Sequence, residues 1–154
     1  MLSVTKKARI MKTYFECKIQ YEKTDDDGIA KKCTEAYLLD AISFTEAEAR
    51  ITEEMEPFIS GEFTVSGLKR SSYQEVFPST RSEDDRWWKG KLMFITVDEK
   101  SGKEKKKAWL CLVQGKDFKK ASANLEAAMK GTMEDYEIAS LQETAILDVF
   151  LFKK

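Results

Sequence analysis

The chain contains no histidine. That removes imidazole from every role it plays elsewhere: no His-based general acid or base, no Ser–His or Cys–His nucleophile, and no zinc site that needs a histidine ligand. Cysteine is scarce. Cys17, Cys33 and Cys111 are odd in number and show no CxxC spacing, so they read as small apolar core residues in a reducing compartment rather than a disulfide framework. Glycine totals only seven and no GxxxxGK(S/T) occurs, so the lysine-rich "GKDFKK" and "SGKEKKK" are not phosphate loops. No run of about 18 apolar residues is present, which excludes a helical membrane span. The opening "MLSVTKKARIMK" is basic without an apolar stretch, so it is not a secretory signal. Met11 offers an alternative start, with residues 1–10 then an upstream extension. The expected location is the cytoplasm.

What is present is a globular composition, 42% hydrophobic and 34% charged over 154 residues, enough to bury a core without metal or disulfide help. The net charge of −1 hides an asymmetry: residues 14–77 hold 7 Lys/Arg against 14 Asp/Glu, and residues 87–150 hold 11 against 10. Lys6, Lys7, Arg9 and Lys12 make the first thirteen residues basic.

The dominant signal is an internal repeat. "YFECKIQYEK" (14–23) returns as "WWKGKLMFIT" (87–96). At an offset of 73, Tyr14 and Phe15 fall on Trp87 and Trp88, Lys18 on Lys91, and Tyr21 on Phe94. One extra residue in the following turn makes the offset 74, and Gly28 meets Gly102, Phe44 meets Phe118, Ile51 meets Leu125, and Met55 meets Met129. The offset then returns to 73, with Phe63 on Tyr136 and "EVF" (75–77) on "DVF" (148–150). Shared strand and helix physics explains alternation, but not the paired Gly, the Lys31-Lys32 that falls on Lys105-Lys106, or the paired Val-Phe. The organisation predicted is a basic extension 1–13, repeat unit 14–77, linker 78–86, repeat unit 87–150 and a basic tail 151–154, the two units forming one domain.

Each repeat predicts the same elements. Period-2 alternation puts Phe15, Cys17, Ile19 and Tyr21 on one strand face, and Trp88, Gly90, Leu92 and Phe94 on its copy. "TDDDG" and "DEKSG" predict hairpin turns to second strands at about 31–41 and 105–115. Ser43 with Glu46 has capping-box spacing, and Asp117 is the matching N-cap. The stripe Phe44, Ala47, Ile51, Met55 and its copy Phe118, Ala121, Leu125, Met129 predict amphipathic helices ended by Pro57 and Gly131. A closing strand region, bent at Ser66-Gly67, is long enough to be two strands. The fold class is α+β: a tandem β-β-α-β(β) unit, antiparallel sheet or sheets with the two helices on one face, and a pseudo-two-fold.

Four features are candidate sites. On the strand face away from the helices, Tyr14 with Lys18 and Trp87 with Lys89 and Lys91 suggest rings for base stacking beside cations for phosphate. The same pattern also suits a plain solvated sheet face, and the acidity of the first repeat counts against a continuous phosphate track. The lysine-rich hairpin with Lys105 and Lys106 suits phosphate, or protection of a sheet edge. In the second repeat, Trp109, Cys111 and Val113 alternate with Leu110 and Leu112, apolar on both faces and therefore covered on both, by the other unit or by a second chain, which reads as an interface, internal or between subunits. Asp25, Asp26 and Asp27, with Glu46, Glu48, Glu53 and Glu54, lack the later bidentate glutamate of a calcium loop and read as solvated surface.

The phrases "YFECK", "SFTEAEARI", "ISGEFTV" and "MKGTMEDYEIAS…ETAILDVF" together resemble an uncharacterised protein family of Bacteroidetes and the phages that infect them, over residues 11–150. That resemblance implies a bacterial or phage cytoplasmic protein and transfers no activity or site residue. The tandem plan is also similar in outline to Pur-alpha-like and Whirly-type nucleic-acid-binding folds, an analogy of architecture alone. The functional expectation is a non-enzymatic binding protein without cofactor or metal, engaging single-stranded nucleic acid through Tyr14, Lys18, Trp87, Lys89, Lys91, Lys105 and Lys106. The alternative is a phage or bacterial interaction, assembly or anti-defence accessory protein acting through an apolar surface of the second repeat unit, with another protein or its own copies as partner and no membrane association.

Overall fold

A computed structural model describes residues 13–152; most of the basic extension and Lys153–Lys154 of the basic tail lie outside the described residues. Two compact units are present, one formed by residues up to Ser71 together with those from Ile146 onward, the other by Ser72–Ala145. We call them unit 1 and unit 2.

In unit 1, β1 (Thr13–Thr24) and β2 (Ala30–Ala41) form an antiparallel hairpin, followed by helix α1 (Phe44–Met55) and strand β3 (Phe63–Arg70). In unit 2, a short strand β4 (Glu75–Phe77) precedes the hairpin of β5 (Arg86–Val97) and β6 (Glu104–Gly115), helix α2 (Phe118–Ala128) and β7 (Asp135–Glu143). Strand β8 (Ile146–Phe150) closes the chain. The sheets run β3-β1-β2-β8 and β4-β6-β5-β7.

Equivalent residues build equivalent local structure. Asp25 Oδ1 accepts from the Asp27 and Ile29 amides at 3.0 and 2.9 Å. In the copy, Asp98 Oδ1 accepts from the Lys100 amide at 2.9 Å. Each turn then needs a left-handed residue, supplied by Gly28 at φ 81° and Gly102 at φ 70°. Ser43 Oγ accepts from the Glu46 amide at 3.1 Å, and Asp117 Oδ1 from the Lys120 amide at 2.8 Å, so both helices start where their caps predict. The returning arm of the capping box is displaced by one residue: Glu46 Oε1 accepts from the Ile42 amide rather than from Ser43. The buried stripes Ala47, Ile51, Met55 and Ala121, Leu125, Met129 face the sheets.

Each unit has its own core. Phe15, Cys17, Ile19, Leu39, Ala41 and the α1 stripe form one; Trp88, Leu92, Cys111, Val113 and the α2 stripe form the other. The first residue of each helix rests edge-on against the same strand position, Phe44 on Phe15 at 5.0 Å and Phe118 on Trp88 at 6.0 Å between ring centroids. A register shift recurs too, between Lys18 and Ile19 opposite Gly67/Val65, and between Lys91 and Leu92 opposite Ser140/Ile138. The bulge therefore does not depend on the glycine that marked it, since unit 2 makes it without one.

The closing region departs from a simple reading of the repeat. It is two strands in each copy, and the second joins the sheet built on the other repeat's hairpin. β4 belongs to the repeat 14–77 yet pairs in parallel with β6, Val76 opposite Leu112. β8 belongs to the repeat 87–150 yet pairs in parallel with β2, Val149 opposite Leu38. The structural units therefore interleave where the sequence repeats run consecutively. A parallel neighbour cannot be reached through a tight hairpin, and β3 and β7 have already carried the chain to the far edge of each four-stranded sheet. The linker residues 78–86 fall within unit 2, where Asp84 is buried.

Candidate functional site

The residues predicted to bind nucleic acid do not converge. Pairing across the hairpins places Tyr14, Glu16 and Lys18 on the face of the unit 1 sheet opposite α1, and Trp87, Lys89 and Lys91 on the corresponding face of unit 2. Tyr14 is 6% exposed and Trp87 3%, so neither ring presents a face on which a base can stack. Lys18, Lys89 and Lys91 are exposed. Lys106 shares that face and is engaged: its Nζ donates to Glu137 Oε1 at 3.0 Å, and this bond raises its pKa. Lys105 alternates onto the other face, the one that carries α2. The burial expected on both faces of β6 is found, with Cys111, Leu112 and Val113 all fully enclosed.

A different set of rings does come together. On the α2 side of the unit 2 sheet, past the rows filled by the helix, Phe94, Trp109, Tyr136 and Phe77 form a half-buried aromatic group. Trp109 meets Phe94 edge-on at 5.7 Å and Phe77 at 6.3 Å, while Phe94 lies 6.2 Å from Tyr136. Lys107 pairs with Phe94 and Lys105 with Thr96 in the adjacent register positions, so both exposed lysines continue the face on which these rings lie. Sequence reasoning saw Trp109 only as interface material. The signal was present: Lys105, Lys107 and Trp109 are spaced by two, the period that puts strand residues on one face.

Unit 1 has diverged at the same place. Position 35, which corresponds to Trp109, is a glutamate. Glu35 Oε2 accepts from the Tyr21 hydroxyl at 3.0 Å and Oε1 from the Tyr37 hydroxyl at 2.8 Å. Burial and the bond to Glu35 push the Tyr21 hydroxyl up to about 12 and that of Tyr37 higher still. Both remain protonated donors. Tyr37 also stacks on Phe150 at 5.7 Å.

A third constellation is structural. Asp84 Oδ2 accepts from Ser79 Oγ at 2.5 Å, Asn124 Nδ2 at 3.1 Å and Lys120 Nζ at 3.3 Å, and Oδ1 from the Lys116 amide at 3.1 Å. Burial acts to raise this carboxyl, but the four donors prevail and hold it at about 2. Beside it runs an open groove of about 510 Å³ lined by Ser79, Arg81, Gln114, Lys120 and Asn124. Unit 1 builds the matching clamp from Arg50, which donates to the Asp40 carbonyl and to Phe150 O at 3.2 Å, while the Phe152 amide donates to Asp40 Oδ1 at 2.7 Å. Among the described residues no group of three or more Cys, Asp or Glu is placed to hold a metal ion, and no helix is long and apolar enough to cross a membrane.

Fold and site together define an α+β protein of two duplicated units whose equivalent surfaces have diverged, one aromatic and basic, the other aromatic and acidic. The chain belongs to the family described as Domain of unknown function (DUF4494), which it matches over residues 13–152. No curated protein matches it.

Proposed function

We propose that this protein is a non-enzymatic binding module for single-stranded nucleic acid, and that the contact is the α2-side aromatic face of unit 2 rather than the opposite face. The observation that carries this reading is the continuity of the half-buried rings Phe94, Trp109 and Tyr136 with the exposed Lys105 and Lys107 on one strand face. Stacking on rings is tolerant of base identity, and neighbouring cations neutralise phosphate. The similarity in outline to Pur-alpha-like and Whirly-type folds agrees with the reading without assigning it. On the same proposal the protein works in the cytoplasm of a member of the Bacteroidetes or of a phage infecting one.

Titration with an oligothymidylate, followed by tryptophan fluorescence, tests it. Trp109 is half-buried while Trp87 and Trp88 are buried, so quenching should come from Trp109. Affinity should fall as salt rises, and W109A should cost about 1–3 kcal/mol for the stacked base. K105Q/K107Q should lower the salt slope by about 1.4. Absence of binding at low salt ends the reading. Loss on K89Q/K91Q but not on W109A would return the site to the opposite face.

A second reading, assembly through unit 2, is favoured by the exposed apolar residues Phe118, Val97 and Met133, at 57%, 62% and 97%. A discrete oligomer in light scattering, together with no nucleic-acid binding, would favour it.

A further inference from the structure

The duplication supplies an internal control for Glu35. Its counterpart in unit 2 is Trp109, half-buried among Phe77, Phe94 and Tyr136. The fold therefore accepts an apolar ring at this position and does not require a carboxylate. Partly burying a charge costs free energy unless something compensates it, yet among the described residues no ion pair reaches Glu35.

Two tyrosine hydroxyls hold the carboxylate in place instead, with a weaker third contact donated by the Cys33 thiol to Oε2 at 4.0 Å. A carboxylate offers about four acceptor positions, one more than these three donors use. Asp148 lies close enough to Tyr37 to add a second negative charge to the same surroundings. Tyr21, Tyr37, Phe63 and Phe150 are half-buried, with Phe63 opposite Tyr21 on the neighbouring strand. A fixed carboxylate flanked by Tyr21 and Tyr37, with Phe63 and Phe150 the next rings beyond them, is the chemistry that recognises an organic cation, which gains from the charge and from the ring faces together. Among the described residues unit 1 carries 7 Lys/Arg against 14 Asp/Glu, a field that draws a cation toward it.

We propose that Glu35, Tyr21, Tyr37 and Phe63 form a recognition site for a cationic side chain, a guanidinium or ammonium group presented by a basic polypeptide. The site is independent of the aromatic face of unit 2 and takes a partner of opposite charge.

Calorimetric titration of the full chain with oligo-arginine and oligo-lysine peptides tests this, with E35Q as the key variant and E62Q, an exposed unit 1 carboxylate, as the control for diffuse attraction. Glutamine keeps an acceptor for a tyrosine hydroxyl and removes the charge, and thermal melting verifies that each variant is folded. E35Q should weaken peptide binding about tenfold or more, while E62Q leaves it within about twofold. Equal loss in both variants would reduce the effect to net charge and overturn the site, as would no peptide binding at low salt. A discrete oligomer of the protein that E35Q dissolves would place the lysine hairpin of a second copy there and overturn a separate partner.

Discussion

At the scale of single residues, Asp84 carries the sharpest consequence. Its folded pKa of about 2 lies below the ordinary carboxylate value. A group depressed in this way contributes stability above its unfolded pKa, and that contribution fades as pH falls from about 4 toward 2. D84N should lower stability at neutral pH by roughly 2–4 kcal/mol and flatten the loss across that window; denaturant titrations at several pH values read both. The sequence could not reveal this role, because "SEDDR" reads as a solvated charge run and the four donors come from residues 79, 116, 120 and 124. The cysteines were legible as core. Burial pushes the thiols of Cys17 and Cys111 up to about 12. Cys33 is only half-buried and unpaired by any disulfide. A thiol reagent at mild alkaline pH should therefore modify one cysteine in the native protein and three after denaturation; rapid native modification of all three would contradict the packing.

At the scale of elements, the helices were the most legible part, since a polar cap followed by an apolar stripe at helical spacing is local information. Removing either cap, S43A or D117A, should cost about 1 kcal/mol in thermal or denaturant unfolding. The seat of α2 was less legible. A Cβ added at Gly115 would lie 2.6 Å from the Ala121 backbone, so the strand end and helix approach there more closely than any side chain allows. G115A should destabilise by about 1–3 kcal/mol through forced displacement of the helix. Unit 1 manages the same junction with Ala41, buried at 5% exposure, so A41G should be far milder. Reversed effects in parallel melts would show that the two junctions are not built as described.

At the scale of the whole molecule, the consequence of the exchanged strands is asymmetric. Unit 2 is one continuous segment, while unit 1 needs the chain from Ile146 onward to supply β8 and the Phe150 and Phe152 contacts to Arg50 and Asp40. Ending the chain at Ala145 should leave the amides of β5, β6 and β7 protected in hydrogen exchange and sharply deprotect β2, whose edge loses its partner. Equal loss in both units would show that they unfold together. The repeat located every one of these strands but not which sheet each would join. Glu75-Val76-Phe77 and Asp148-Val149-Phe150 are almost the same tripeptide, and nothing local distinguishes one parallel edge from the other.

By itself the sequence determined the duplication, because 73- and 74-residue offsets match residue by residue, and the absence of histidine chemistry, because that is composition; it determined the order of strands and helices, the caps and the turn glycines because each depends on residues within a turn or two of one another. Only the tertiary structure decided which rings are enclosed and which are open, which sheet receives each edge strand, and that Asp84 is an anchor and Glu35 a held carboxylate. Those outcomes depend on burial and on donors drawn from segments distant along the chain, and alternation alone states that two faces exist without stating which of them will be covered.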